Sequence, residues 1–351
     1  MNIFEQKAPL ADLAILARHL AVMLKSGMSV TEAIHVAGGS ARGGLKRVLA
    51  HVARAVESGR TLEQALAEHP RVFSPHIVSA VRAGESSGTL VENLEHLAVS
   101  LEKERELKAK VMGAMLYPLI ILIAASGLAV LIAIFILPKI TPIFRGLRVT
   151  LPASTRALLW LTDIVDAHGA VIATGLAVGL IAVSILVTRK FMRPVTGALA
   201  LWIPVVRRVV VSSHIARFSR TSAMLLKSGL TLDEALAVTE TNATNVYYQR
   251  AIRSARERAR GGETLSAALA DHASLFPPLV TNMIRVGENA GAYESTLTYL
   301  AEFYESDVDT ATKSLASLVE PLLLLVMGGV VVFLALSIIS PIYEITGSLR
   351  R

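Results

Sequence analysis

The chain reads LKSGMSVTEAI at residues 24–34 and LKSGLTLDEAL at residues 226–236. The same short message appears twice, far apart. The match continues outward after a one-residue insertion. GRTLEQALAEHPRVFSPHIVSAVRAGESSGTLVENLEHLA (59–98) lies over GETLSAALADHASLFPPLVTNMIRVGENAGAYESTLTYLA (262–301). Leu62/Leu265, Leu66/Leu269, His69/His272, Phe73/Phe276, Gly84/Gly287, Glu85/Glu288, Gly88/Gly291 and Leu97/Leu300 coincide. The register persists to Pro118/Pro321 and Pro138/Pro341. Self-similarity over such lengths marks a duplicated structural unit, here covering about 12–142 and 215–346.

The unit reads as helical. Leu13, Leu16, Leu20, Met23 and Leu24 recur at spacings of three and four, the period of an amphipathic helix. Gly27 then offers a left-handed helix end. Ser29 to Glu32 has the form of a capping box, as have Thr231 to Glu234, Thr61 to Gln64 and Thr89 to Glu92. Strand-like alternation is scarce. Each polar domain is therefore expected to be an antiparallel bundle of about six helices.

With 53% hydrophobic and 18% charged residues and a mean hydropathy of +0.54, the 351-residue chain is too apolar for an ordinary soluble protein. Three runs carry no charge: LYPLIILIAASGLAVLIAIFIL (116–137), GAVIATGLAVGLIAVSILV (169–187) and PLLLLVMGGVVVFLALSIIS (321–340). About 20 apolar residues cross the hydrocarbon as a helix. The expected fold class is an all-α membrane protein with two repeated cytoplasmic helical domains and three transmembrane helices. The expected division is a first domain at 1–115, a span at 116–137, a periplasmic loop at 138–168 and a second span at 169–187. A basic linker and second domain follow at 188–319, then a third span at 320–341 and a short periplasmic tail at 342–351.

Topology follows from the repeat. Two similar polar domains share a compartment and each ends in an outgoing span, so the unmatched run at 169–187 brings the chain back. The N-terminus is then cytoplasmic and the C-terminus periplasmic. Arg189, Lys190, Arg193, Arg207, Arg208 and Arg217, with no acid across 188–217, fit a cytoplasmic flank. This accounts for the net charge of +7 better than nucleic acid does, because no aromatic-studded basic groove of the kind that binds single strands goes with these residues. The opening MNIFEQKAPLADL lacks the pattern of a secretory signal peptide.

Catalytic chemistry finds little to work with. The absence of cysteine excludes a thiol nucleophile, a disulfide and a zinc–thiolate site. Gly38 to Lys46 has the glycines of a phosphate loop, yet Leu45 stands where the lysine belongs. No close histidine ligand pair lies on one helical face, and His69 and His272 read as structural. No cofactor or metal is expected. Glu302, Glu305, Asp307 and Asp309 read as a solvated face, with cation binding or subunit contact as alternatives. Glu320, at the edge of a span, either reaches the interface or faces a protein interior. Pro118 and Pro321 are expected in the first turn of a helix, where proline is tolerated. In Gly84-Glu-Ser-Ser-Gly88 and Gly287-Glu-Asn-Ala-Gly291 the glycines are expected to take positive φ in a helix-to-helix turn, a reading that does not exclude a surface role for Glu85 and Glu288. Arg42, Lys46, Arg47 and the run Arg250–Arg260 are exposed candidates for a partner.

GESSGTLVENLEHLA, GENAGAYESTLTYLAEFYE and VDTATKSLASLVEPLLLLVMGGVVV (308–332), in two registered copies, resemble the GspF/PilC family of inner-membrane platform proteins. These belong to type II secretion systems and type IV pili. The resemblance implies a non-enzymatic, multi-pass, homo-oligomeric protein of the cytoplasmic membrane. Its implied partners are a hexameric cytoplasmic ATPase, pilins or pseudopilins, and other inner-membrane assembly proteins. A membrane transporter with internal repeats, or a scaffold of another complex, is the competing reading. One departure is Tyr293 where the first copy has Leu90, which suggests that the two copies bind differently.

Overall fold

The computed structural model describes residues 8–131 and 204–348, with a few isolated residues between 156 and 167. Its described elements are all α-helical. The first copy supplies α1 (Leu10–Lys25), α2 (Val30–Ser40), α3 (Gly43–Glu57), α4 (Leu62–Ala67), α5 (Pro75–Ser87) and α6 (Leu90–Leu131). The second supplies α7 (Pro204–Lys227), α8 (Leu232–Asn242), α9 (Val246–Arg260), α10 (Leu265–Ala270), α11 (Pro278–Ala290) and α12 (Tyr293–Ser348).

The opening motif is a helix end, a turn and a helix start. Gly27 has φ +91°. Its N–H donates to the Leu24 carbonyl, while the Met28 N–H reaches back to Met23 at 3.1 Å. Paired bonds of this kind satisfy the last carbonyls of a helix, and the left-handed residue they need is one that glycine adopts without strain. Gly229, at φ +88°, repeats the arrangement with Leu226 and Leu225. Ser29 then accepts from the Glu32 N–H, and Thr231 from that of Glu234. At Thr231 the Glu234 side chain also returns to the cap backbone, completing the reciprocal box.

Both cores use the repeated apolar positions. Leu49, Val52, Leu62, Leu66, Phe73, Ile77, Val81, Leu94 and Leu97 bury together in the first copy. Ile252, Ala255, Leu265, Leu269, Phe276, Val280, Ile284, Leu297 and Leu300 occupy the equivalent places in the second. Each fully buried Leu or Phe contributes about 1.5–3 kcal/mol. The second core is more aromatic. Tyr248 packs edge-on against Phe276, and its hydroxyl donates to the Leu275 carbonyl at 2.9 Å.

The described residues 8–111 and 204–311 belong to one compact unit. Within it the cores borrow from each other. Met224, Leu225, Leu230 and Ala235 of the second copy complete the first core. Leu107 of α6 is buried in the second, with Val111 packed against it. A bidentate pair from Arg220 to Glu305, both side chains under a fifth exposed, joins α7 to α12.

The described residues 112–131 and 312–348 belong to the other unit. The prolines there correct an expectation. Pro118 lies in the interior of α6 and Pro321 in the interior of α12. Neither begins a helix, because both helices run on from the polar domain without a break. An interior proline removes one ladder hydrogen bond and crowds the carbonyl four residues back, a cost of about 3 kcal/mol. Among the described residues no helix is long and apolar enough to cross a membrane. The run at 169–187 lies outside the described residues, as does the end of 116–137 beyond Leu131. The run at 321–340 is helical along its backbone, within α12.

Candidate functional site

The sharpest repeated motif is a joint between helices. The Glu85 carboxylate is half-buried and accepts two backbone N–H bonds at the start of α4, from Leu62 at 2.7 Å and Glu63 at 2.8 Å. Thr61 takes the next N–H, that of Gln64, at 3.1 Å. Three of the four donors left open at a helix N-terminus are thereby satisfied, and the negative charge sits at the positive end of the helix. Glu288 does the same for α10, accepting from Leu265 and from Ser266 at 3.1 Å, while Thr264 takes the Ala267 N–H. Both carboxylates are thus committed to backbone donors rather than standing free on the surface.

The glycines divide between two jobs, which also corrects the expectation. Gly88 and Gly291 end α5 and α11 with φ +75° and +63°. Gly84 and Gly287 are ordinary helical residues, kept small by proximity. A Cβ on Gly84 would lie 2.8 Å from the Leu90 Cα. One on Gly287 would lie 2.9 Å from the Thr296 Cβ. Tyr293 explains one difference between the copies: its hydroxyl donates to Glu288 at 2.8 Å. Burial first, then this bond to a carboxylate, pushes the Tyr293 hydroxyl well above its usual range.

The two basic candidates separate. Along α9, Arg253 pairs with Glu240 at 2.6 Å, Arg256 and Arg260 share Asp233, and Arg258 holds Glu263 and Asp271. Hydrogen bonds from Arg260 and then Arg256 hold the Asp233 carboxyl down at about 2. Arg253, Arg256, Arg258 and Arg260 thus clamp α9 to its neighbours, while Arg250 is exposed. Arg42, Lys46 and Arg47, on the first turns of α3, are exposed, and no ion pair to them occurs among the described residues. Three of the four acids in the cluster are spent internally, Glu305 on Arg220, Asp307 on Arg208 and Ser212, and Asp309 with Lys110 at 3.6 Å, while Glu302 is exposed. Among the described residues these acids do not gather into a group that could hold a metal ion. Pro321 is exposed, whereas the side chains of Pro118 and Glu320 lie outside what the structure describes.

A cavity of about 670 Å³ opens between the copies, lined in part by His76, His214, Arg217, Tyr248 and Glu305. His214 stacks on Tyr248 with ring centroids 4.4 Å apart. Burial, reinforced by Arg217, pushes His214 down to about 4, and burial lowers His76 as well. Both are neutral in the folded protein at pH 7. An unfolded histidine takes up its proton near 6.5. The folded state therefore binds fewer protons below that pH, and stability falls as pH drops from 6.5 towards 4. His214→Phe, which keeps the ring stack, is expected to recover about 1–2 kcal/mol of the loss seen at about pH 5. Thermal melts of both proteins at about pH 7.5 and about pH 5 measure this; parallel pH dependence in the variant would exclude His214 as the source.

The matched architecture extends beyond this chain. The family model of type II secretion system protein F matches residues 16–138 and again 218–341, once for each copy. The chain belongs to the type II secretion system protein F family. The type IV pilus assembly protein PilC of Thermus thermophilus is 35% identical, over 98% of this chain and 85% of its own length. The type II secretion system protein F of Vibrio cholerae is 30% identical, over 99% and 86%. The PilC of Myxococcus xanthus is 31% identical, over 97% and 81%. As a member of the protein F family the chain carries the Gly–Glu–x–x–Gly joint in both halves, at Gly84 to Gly88 and Gly287 to Gly291. The bonds made by Glu85 had no local signal in the sequence, because the amides it caps lie 22 and 23 residues away.

Proposed function

We propose that this chain is a non-enzymatic platform of the cytoplasmic membrane that couples a hexameric cytoplasmic ATPase to assembly of a pilus or pseudopilus filament from membrane pilins. Family membership carries the reading, since both secretion-system and pilus-assembly relatives align over nearly the full chain. The proposed spans are 116–137, 169–187 and 320–341, with polar domains at 1–115 and 188–319 in the cytoplasm. Leu324, Leu325, Val331, Val332 and Leu336, each more than half exposed on α12, support an apolar surround for that helix. Arg42, Lys46 and Arg47, exposed and without an ion pair among the described residues, support α3 as the face that meets an acidic partner. In this reading the chain works as a homo-oligomer alongside other inner-membrane assembly proteins.

Purification of the tagged full chain in mild detergent from its own cells is expected to recover the ATPase and prepilin-like proteins. Charge reversal of Arg42, Lys46 and Arg47 to Glu together is expected to lose the ATPase while leaving the melting temperature within a few degrees, because exposed substitutions shift stability by about 0.5 kcal/mol or less each. Retention of the ATPase by that variant moves the contact elsewhere; its absence from the wild-type preparation removes the coupling. Orientation has its own check, because the chain contains no cysteine. A membrane-impermeant thiol reagent added to intact cells is expected to label Ser348→Cys and to spare Ser40→Cys and Ser254→Cys. The reverse pattern would invert the topology.

A further inference from the structure

His69 and His51 come from different helical segments yet meet at bonding range. His51 Nδ1, on α3, lies 3.0 Å from His69 Nε2, just after α4. The rings stand at 88° to one another. Glu68 brings a carboxylate oxygen to 3.8 Å from His51 Nδ1. One ligand atom from each of the three falls within 4.8 Å of the other two. His69 is buried, whereas His51 and Glu68 open to solvent, so water has access to complete a coordination shell.

We propose that His51, Glu68 and His69 form a binding site for a divalent first-row cation, with Zn²⁺ the best-suited probe. Metal–nitrogen bonds of about 2.0–2.1 Å place two ligand nitrogens about 2.9 Å apart at a right angle and about 3.3 Å apart in a tetrahedron. The observed separation falls between these values, so the spacing of the two nitrogens suits one ion, and a rotation of the rings out of their mutual hydrogen bond aims both lone pairs at it. Two neutral imidazoles meeting at these nitrogens satisfy each other with one shared N–H. A cation uses both lone pairs at once and recruits the carboxylate. Binding asks for the tautomers with the proton on His51 Nε2 and His69 Nδ1, so that the facing nitrogens present lone pairs.

Two observations define what the site does. It joins α3 to the turn after α4, so an ion there staples two segments of the first core. It also belongs to the first copy alone. In the second copy Ser254 stands at the position of His51, and Asp271 is taken up by Arg258. The duplication has therefore diverged at this place: both acids carry an arginine partner, but only the first copy has the second imidazole. Arg60 pairs with Glu68 in the metal-free arrangement, and its charge opposes the incoming cation.

The test uses the full chain in detergent, with a purification tag free of histidine, stripped with a chelator. Zn²⁺ is titrated against a chromophoric competitor, and the melting temperature is followed with and without Zn²⁺. One saturable site per chain is expected, with a rise in melting temperature on binding. His51→Ala is expected to weaken binding by more than about a hundredfold. Arg60→Gln acts in the opposite direction, tightening binding by about two- to fivefold as the competing pair is removed. Co²⁺ in place of Zn²⁺ reports the nitrogen ligands through its visible absorption. Absence of saturable binding overturns the site, and so does binding that His51→Ala leaves unchanged.

Discussion

Glu85→Ala is expected to destabilise the first helical domain by about 2–4 kcal/mol, although Glu85 touches no other side chain in an ion pair among the described residues. The loss comes from the backbone. Removing the carboxylate strands the N–H groups of Leu62 and Glu63 at a half-buried helix start. Hydrogen bonds to a charged acceptor contribute about 1.5–3 kcal/mol each, and the helix-end charge adds a few tenths more. Water recovers part of this, which sets the lower bound. Glu85→Gln keeps one carbonyl acceptor and should lose about half as much. Glu288→Ala is expected to match or exceed Glu85→Ala, since it also orphans the Tyr293 hydroxyl. Thermal melts by circular dichroism, together with protease sensitivity near residues 58–70, measure the series. Equal stability of Glu85→Ala and wild type would rule out the capping role and leave Glu85 to a surface role.

Gly84→Ala should be comparably damaging for an opposite reason, through crowding. Its new Cβ would fall 2.8 Å from the Leu90 Cα, a main-chain atom that no rotamer change can move. Either α5 and α6 separate or the start of α6 shifts, and overpacking of this kind costs about 1–3 kcal/mol. At Gly287 the obstruction is Thr296, whose Oγ1 lies 2.7 Å from the added carbon. Gly39→Ala supplies the contrast. Gly39 is helical with nothing within 4 Å of the added carbon, so alanine there should stabilise by about 0.4–1 kcal/mol. If Gly84→Ala and Gly39→Ala melted alike, close helix approach could not be the reason for glycine at position 84.

Together these variants assign the Gly–Glu–x–x–Gly motif to construction. Its first glycine lets α6 approach α5, its glutamate ties α5 to the start of α4, and its last glycine turns the chain. The same device in both halves builds the same three-helix joint twice, α4–α5–α6 and α10–α11–α12. What distinguishes the halves is chemistry added around it. The second copy adds Tyr293 on Glu288 and the arginine clamp of α9, while the first keeps an uncommitted basic face on α3 and the His51–Glu68–His69 cluster.

The sequence by itself determined the duplication, the helical class, the glycine turns at Gly27 and Gly229, and the core positions from Leu62/Leu265 to Leu97/Leu300. All of these are local or periodic: a helix repeats every 3.6 residues, a capping box spans four, and a left-handed residue favours glycine wherever it occurs. Tertiary structure alone decided where the charges go. Asp233 lies 23 and 27 residues from the arginines that hold it, and Asp307 lies 99 from Arg208. From composition, the α9 run and the α12 acids look like free surfaces; folding closes most of them into pairs, because opposite charges on packed helices approach to hydrogen-bonding range. The position of the prolines inside continuous helices, the exchange of Met224, Leu225 and Leu107 between the two cores, and the meeting of His51 with His69 have the same origin. Each depends on which helix lies beside which, and no single-chain periodicity encodes a neighbour that arrives from another part of the sequence.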